Sequence, residues 1–239
     1  MNHFQKFSFV LFVLAAVEAL TAASALGYTI GGSSWPGSPA TLKYSFVNMF
    51  DGGMKMPDGN PLPNSLIRGS IEEALRAWSS AAPLNFVEVL DDGIAHAGQF
   101  RFRHIYINGP DPAPPANPIA KAQATCIGNG FGCEVQFDDG DRWQEVGTQP
   151  LPDVLGASIH EIGHILGLHH TNVVGANMYW IFHRFQGLGT GQLFPDDIAG
   201  IQAIYGAGSG SVTSLVPEPG SLAMLCFAVV GWGLRRRSR

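Results

Sequence analysis

His160-Glu161-Ile162-Gly163-His164-Ile165-Leu166-Gly167-Leu168-His169-His170 is the stretch on which the reading of this chain turns. On an α-helix, residues four apart lie on one face, so His160 and His164 can aim two imidazoles at a single ion. Glu161 sits on an adjacent side, where it can reach a water on the metal without ligating it. Gly167 falls where the helix should end, because glycine accepts the left-handed backbone that turns a chain sharply. That turn lets His170 swing back as a third ligand. Three neutral histidines leave a fourth position open, as catalytic zinc requires and structural zinc does not. Zinc lowers the pKa of a bound water to about 7, and Glu161 stands ready as general base and then acid. With 8 His and 30 Gly in 239 residues, a chance match to this spacing is on the order of one in ten thousand or rarer. His169, beside the third ligand, reads as a surface residue.

Outward from this stretch the chain alternates strands and helices. Leu42 to Val47 alternates apolar and polar residues, the period of a half-buried strand. Asn64 is a candidate N-cap for an amphipathic helix running to about Ser80, with Ile67, Ile71, Ala74, Leu75 and Trp78 on its apolar face. Asn85 to Leu90, Phe100 to Ile107, Ile119 to Ala124 and Val135 to Phe137 read as strands, and Gly109 to Pro118 as a Pro-rich loop. His104 reads as a surface or core histidine rather than a ligand. Helices are expected at about Val154 to Leu166 and from Pro195 or Asp196 to Tyr205, the latter opened by acidic residues that suit the positive helix N-terminus. Strands with helices packed on one side imply an α+β domain around a mixed sheet. Cys126 and Cys133 flank a glycine-rich loop and suggest a small disulfide; Cys226 reads as free.

The two ends look like addresses. Lys6, the apolar run Phe7 to Val17 and Ala23-Ser24-Ala25 form a secretory signal peptide, with cleavage expected after Ala25. At the other end come a flexible Gly/Ser-rich linker over residues 208–215, then Val216-Pro217-Glu218-Pro219-Gly220, an apolar stretch Ser221 to Leu234, and Arg235-Arg236-Arg237. This order resembles the PEP-CTERM sorting signal of Gram-negative bacteria over residues 216–239. The resemblance implies export through the inner membrane, transient membrane insertion of the apolar segment, cutting by an exosortase-type enzyme, and a product in the envelope or outside the cell. Without both ends, nine basic residues face seventeen acidic ones, about −8, which argues against a nucleic-acid partner.

The histidine segment followed by Asn177-Met178-Tyr179 resembles the matrixin branch of the metzincins, in which a Met-turn lies eight residues beyond the third histidine and underlies the zinc. The likeness covers about residues 28 to 207, within a domain bounded at 26–207, and implies a zincin-like fold with a twisted mixed sheet, an active-site helix and a C-terminal helix. It implies one catalytic zinc on His160, His164 and His170. The positions matching a second, structural zinc carry Lys121 and Gln136, so one zinc is expected. Asp138, Asp141 and Glu134 match residues that can hold calcium; a solvated acidic turn fits them equally. The resemblance also implies a polypeptide substrate along the edge strand Ile119 to Ala124, touching Ala120 and Ala122. Tyr179 would help wall the side-chain pocket, where Tyr179-Trp180 replaces the family's usual Tyr-Pro. The activity so implied is that of an exported zinc endopeptidase; the alternatives are a catalytically idle surface or matrix protein on the same scaffold, and a zinc hydrolase of non-protein amides.

Overall fold

Alternation builds the sheet. In Ala40–Phe46, strand β2, the side chains of Ala40, Leu42 and Tyr44 are buried while Thr41 and Lys43 face water, the period-two pattern of a strand with one wet face. In the computed structural model the described residues are 27–31, 34–93, 99–108, 122–127, 131–144, 153–180 and 191–215. Expectations for the signal segment, for Ile119, Ala120 and Lys121, for residues 109–118 and for the sorting segment 216–239 lie outside them.

The elements are β1 (Thr29–Ile30), β2 (Ala40–Phe46), α1 (Asn64–Ala81), β3 (Leu84–Glu88), β4 (Gln99–Ile105), β5 (Ala122–Ile127), β6 (Phe131–Asp138), α2 (Val154–Ile165), β7 (Leu168–His169), α3 (Pro195–Tyr205) and β8 (Ser211–Thr213). Among the described residues they form one sheet in the order β5-β6-β4-β2-β3-β8 and a small antiparallel pair, β1 with β7. All neighbours in the large sheet are parallel except β5 with β6. This is the expected α+β architecture with a mixed sheet, and β5 lies at its edge. α1 and α2 pack on each other, α1 against β3 and β8 and α2 against β5 and β6. Between helices and sheet lie the fully buried rings of Trp78, Tyr44, Phe86, Phe100, Phe102 and Phe137. None of the described helices is long and apolar enough to cross a membrane.

Two local expectations change and one is narrowed. Asn64 is the first helical residue rather than the cap: Pro63 occupies the cap position, and the Asn64 amide donates to the Phe50 carbonyl at 3.3 Å. His104 is a core histidine, 7 % exposed, with Nδ1 2.9 Å from Asp139 and Nε2 2.8 Å from Asp51. The largest correction concerns the linker. Residues 211–213 are strand β8, parallel to β3, because glycines read as flexible serve close approach: a Cβ on Gly210 would overlap the Leu84 carbonyl. The Cys126–Cys133 disulfide is present and bridges paired positions of β5 and β6.

Candidate metal centre

Helix α2 is fixed at both ends. Asp153 caps its start, accepting from the Gly156 N–H at 2.7 Å. At its C-terminus, carbonyls left without helical partners need donors. The Trp35 indole N–H reaches the Ile165 carbonyl at 2.9 Å, and the Tyr205 hydroxyl reaches that of Leu166 at 2.9 Å while accepting from the Trp35 backbone N–H at 3.2 Å. Gly167 then takes φ +100°, as the sequence anticipated, and the chain doubles back through β7 to His170. Pairing of β1 with β7, with the Gly31 N–H on the Gly167 carbonyl at 2.7 Å, holds this return segment.

The result is convergence. The Nε2 atoms of His160, His164 and His170 lie 3.2 Å from one another in each of the three pairs. A tetrahedral zinc with bonds of ~2.05 Å spaces its ligand atoms about 3.3 Å apart, so the donor set fits that ion. Two tautomers are fixed from behind: His160 Nδ1 donates to the Asn177 carbonyl at 2.6 Å and His164 Nδ1 to that of Leu168 at 2.8 Å. Their Nε2 lone pairs therefore face inward, as ligation needs. Burial depresses the pKa of His160 to about 3, helped by the charge His164 would carry, and that of His164 to about 4; His170 is lowered too, again chiefly by burial. The triad is neutral and ready for a cation. Glu161 is 8 % exposed, and burial raises its carboxyl to about 7 against the opposing pull of the Ala124 N–H on β5. A nearby dication would draw it down again.

Below the triad lies Met178, 2 % exposed, with its sulfur against Gly163 of α2. The turn that carries it hangs from Asp197 on α3, whose carboxylate accepts from the N–H of Asn177 at 2.8 Å, the N–H of Met178 at 3.0 Å and the Asn177 side-chain amide at 2.9 Å. It also accepts from the Phe194 N–H at 3.1 Å. Asn177 thus joins Asp197 to His160.

The matrixin family model matches residues 38–206, which hold the three histidines, Glu161, Met178 and Asp197. The chain belongs to the matrixin family. A PEP-CTERM protein-sorting motif matches residues 215–237. Stromelysin-1 of Mus musculus is 31 % identical over 205 residues, covering 78 % of this chain and 37 % of the relative. Matrix metalloproteinase-C of Caenorhabditis elegans is 31 % identical over 90 % of this chain and 38 % of its own length. Interstitial collagenase of Oryctolagus cuniculus is 34 % identical over 64 % of this chain and 31 % of its own length. The matched stretch thus spans less than two-fifths of each of these relatives.

In this matrixin the other expected residues scatter. His169 is exposed and paired with Thr29, so it takes no part in the cluster. Asp138 spends its carboxylate on the backbone N–H groups of Ile107, Asn108 and Gly140, at 3.2, 2.9 and 2.8 Å. Asp141 is buried at the same turn. Glu134 points elsewhere: Arg101 and Arg103 lie 3.7 and 3.6 Å from its Oε1, and Gln136 donates to Oε2. Residues four apart on a strand are roughly 13 Å apart, so Glu134 does not join Asp138 and Asp141. Among the described residues, only the histidine triad brings at least three potential ligand atoms together. Gln136 sits in an amide chain with Gln123 and Glu134. Ala122 and Tyr179 are half-buried and Trp180 exposed.

Sequence reasoning missed the caps from Trp35 and Tyr205, the β1–β7 clasp and the hub at Asp197. An acidic pair opening α3 was visible, but its second duty to the Met-turn has no signature in spacing.

Proposed function

We propose that this matrixin is an exported zinc-dependent endopeptidase. The observation that carries the reading is the inward convergence of three neutral imidazoles, two of them beside a buried carboxyl on a helix packed against the edge strand β5. Zinc held there supplies Lewis-acid polarisation and a water acidified to a pKa of about 7. Glu161 takes a proton from the attacking water and returns it to the leaving amine. His160 and His164, locked by their Nδ1 bonds, keep their geometry throughout.

An extended polypeptide would add to the outer edge of β5 as a further strand. Ala122 then contributes backbone pairing, with Ala120 the corresponding position beyond the described residues, and Tyr179 lines the side-chain pocket. β5 supports this, since its partner on one side is β6 and its other side is the sheet edge. The sorting motif supports processing by an exosortase-type enzyme after transient membrane insertion. For calcium, Asp138 and Asp141 remain the pair to test, by the rise in unfolding temperature on adding the ion.

The experiment is to incubate the protein with unfolded polypeptides, with and without a zinc chelator, beside Glu161→Ala. Cleavage should vanish in both controls. Proteolysis by Glu161→Ala would sink the mechanism, and no cleavage by the zinc-loaded wild type would favour an idle binding protein.

A further inference from the structure

Residues 207–214 lie between the matrixin match and the sorting motif, and three of them, 211–213, are built into the sheet. β8 pairs with β3 through Ser211 opposite Asn85, Val212 opposite Phe86 and Thr213 opposite Val87. The Gly210 N–H donates to the Ser79 carbonyl at 2.7 Å, and Ser211 Oγ donates to Asn85 Oδ1 at 2.9 Å. Val212 packs against the core. Just after the strand, the Leu215 N–H donates to Glu88 at 2.8 Å. Glu88 is 6 % exposed and is gripped by Arg68, whose Nη1 lies 2.8 and 2.9 Å from its two oxygens. The Arg68 guanidinium rests in turn over the rings of Phe46 and Phe50. A carboxylate so enclosed does not exchange partners freely with water.

β8 occupies the sheet edge opposite β5, five strand spacings away, roughly 24 Å. We propose that β8 and its Glu88–Arg68 clamp form a rigid exit strap. It delivers the chain toward its sorting segment from the edge farthest from the substrate edge. A molecule whose apolar segment Ser221 to Leu234 is still held in a lipid bilayer therefore keeps β5 open. It cleaves substrate as fast as a molecule that has lost the segment. A free coil over residues 207–215 would let either edge roll onto the bilayer; the strap does not. The rate statement rests on the peptidase reading, whereas the strap itself does not.

The test uses the full chain in phosphatidylcholine nanodiscs, with a specific protease site inserted after Val216, measured before and after cutting. The expected ratio of kcat/KM on an unfolded polypeptide is within about threefold of one; a tenfold or greater rise on release overturns the proposal. Hydrogen exchange is read on the same samples. The Gly210 and Leu215 amides should be protected in both, and β5 amides should exchange alike in both. Exchange of Gly210 and Leu215 at the rate of unstructured chain, or slowing of β5 on the nanodisc, overturns it. Glu88→Gln should speed Leu215 exchange at least tenfold while Tyr44 on β2 is unchanged; no acceleration counts against the clamp. If Tyr44 also accelerates, the variant has loosened globally and the wild-type protection decides. If neither form cleaves anything, the peptidase reading fails while the exchange data still decide the strap.

Discussion

Gly163 and Met178 are in direct contact: a Cβ on Gly163 would run into the Met178 sulfur and lie 2.9 Å from Trp78 Cζ2. The glycine inside the helix that carries His160 and His164 is thus a packing requirement of the Met-turn beneath it. Gly163→Ala should cost ~1–3 kcal/mol by overpacking despite its better helix propensity. Met178→Ala should cost ~2–5 kcal/mol by leaving a cavity. Because the two share one space, the double variant should be less destabilised than the sum of the singles. Urea melts of the four proteins measure this; simple additivity would show that the contact carries no energy.

His170 and His169 separate cleanly. His170→Ala should bring bound zinc from one equivalent to well below half after dialysis, and His169→Ala should leave it at one. Metal analysis of the purified proteins decides, and a second tightly held zinc in wild type would contradict the single-site reading. The basis is geometric: His170 Nε2 sits 3.2 Å from both other ligand nitrogens, while His169 lies on β7 opposite Thr29.

Asp197→Asn should loosen the site from behind. One carboxylate holds four N–H groups, and hydrogen bonds to a charged group contribute ~1.5–3 kcal/mol each. An amide keeps one acceptor, so a loss of about 2–4 kcal/mol is expected, with faster zinc release because Asn177 also holds His160. Zinc dissociation followed by a chromogenic chelator provides the readout. Destabilisation with an unchanged zinc off-rate would confine Asp197 to a purely structural role.

The pH dependence of the zinc-free domain carries two opposite signs. The histidines have folded pKa values below the unfolded 6.5, near 3 for His160 and 4 for His164. The unfolded chain takes up protons first, so their contribution is full above pH 6.5 and lost as pH falls, with a slope approaching about 1.4 kcal/mol per unit for a fully buried group. Glu161 is raised to about 7, so its protonation favours the folded state as pH falls from 7 toward 4.5. In chelator, Glu161→Gln should therefore lose stability between pH 6.5 and 5 more steeply than wild type. Melts that are parallel across this range would contradict the burial of Glu161.

Much of this molecule was legible from its sequence, for local reasons. Helix α2 could be bounded to within a residue because its ligand spacing, its apolar positions and Gly167 all speak through short-range geometry. Helix α3 announced itself by Pro195 and two acidic residues at its start. Other residues could be named without their partners. Nothing in the spacing of Trp35 or Tyr205 says that they cap α2 from 130 and 39 positions away. Glu134 looked like a companion of Asp138 until Arg101 and Arg103, on the neighbouring strand, claimed it.

Glycine composition shows the boundary between the two kinds of information. At Gly167 the sequence reading was right, because a helix stop is a property of one residue's backbone. At Gly210 it was wrong, because an absent side chain signals freedom or close approach alike, and the nearby Leu84 carbonyl decides which. The sequence by itself determined which three histidines converge, the helix that carries two of them and the α+β class, all written in spacings of a few residues. Only the tertiary structure decided what stands behind those ligands and what becomes of residues 207–215, because hydrogen bonds and contacts between residues distant in the chain exist only once the sheet and helices have been brought together.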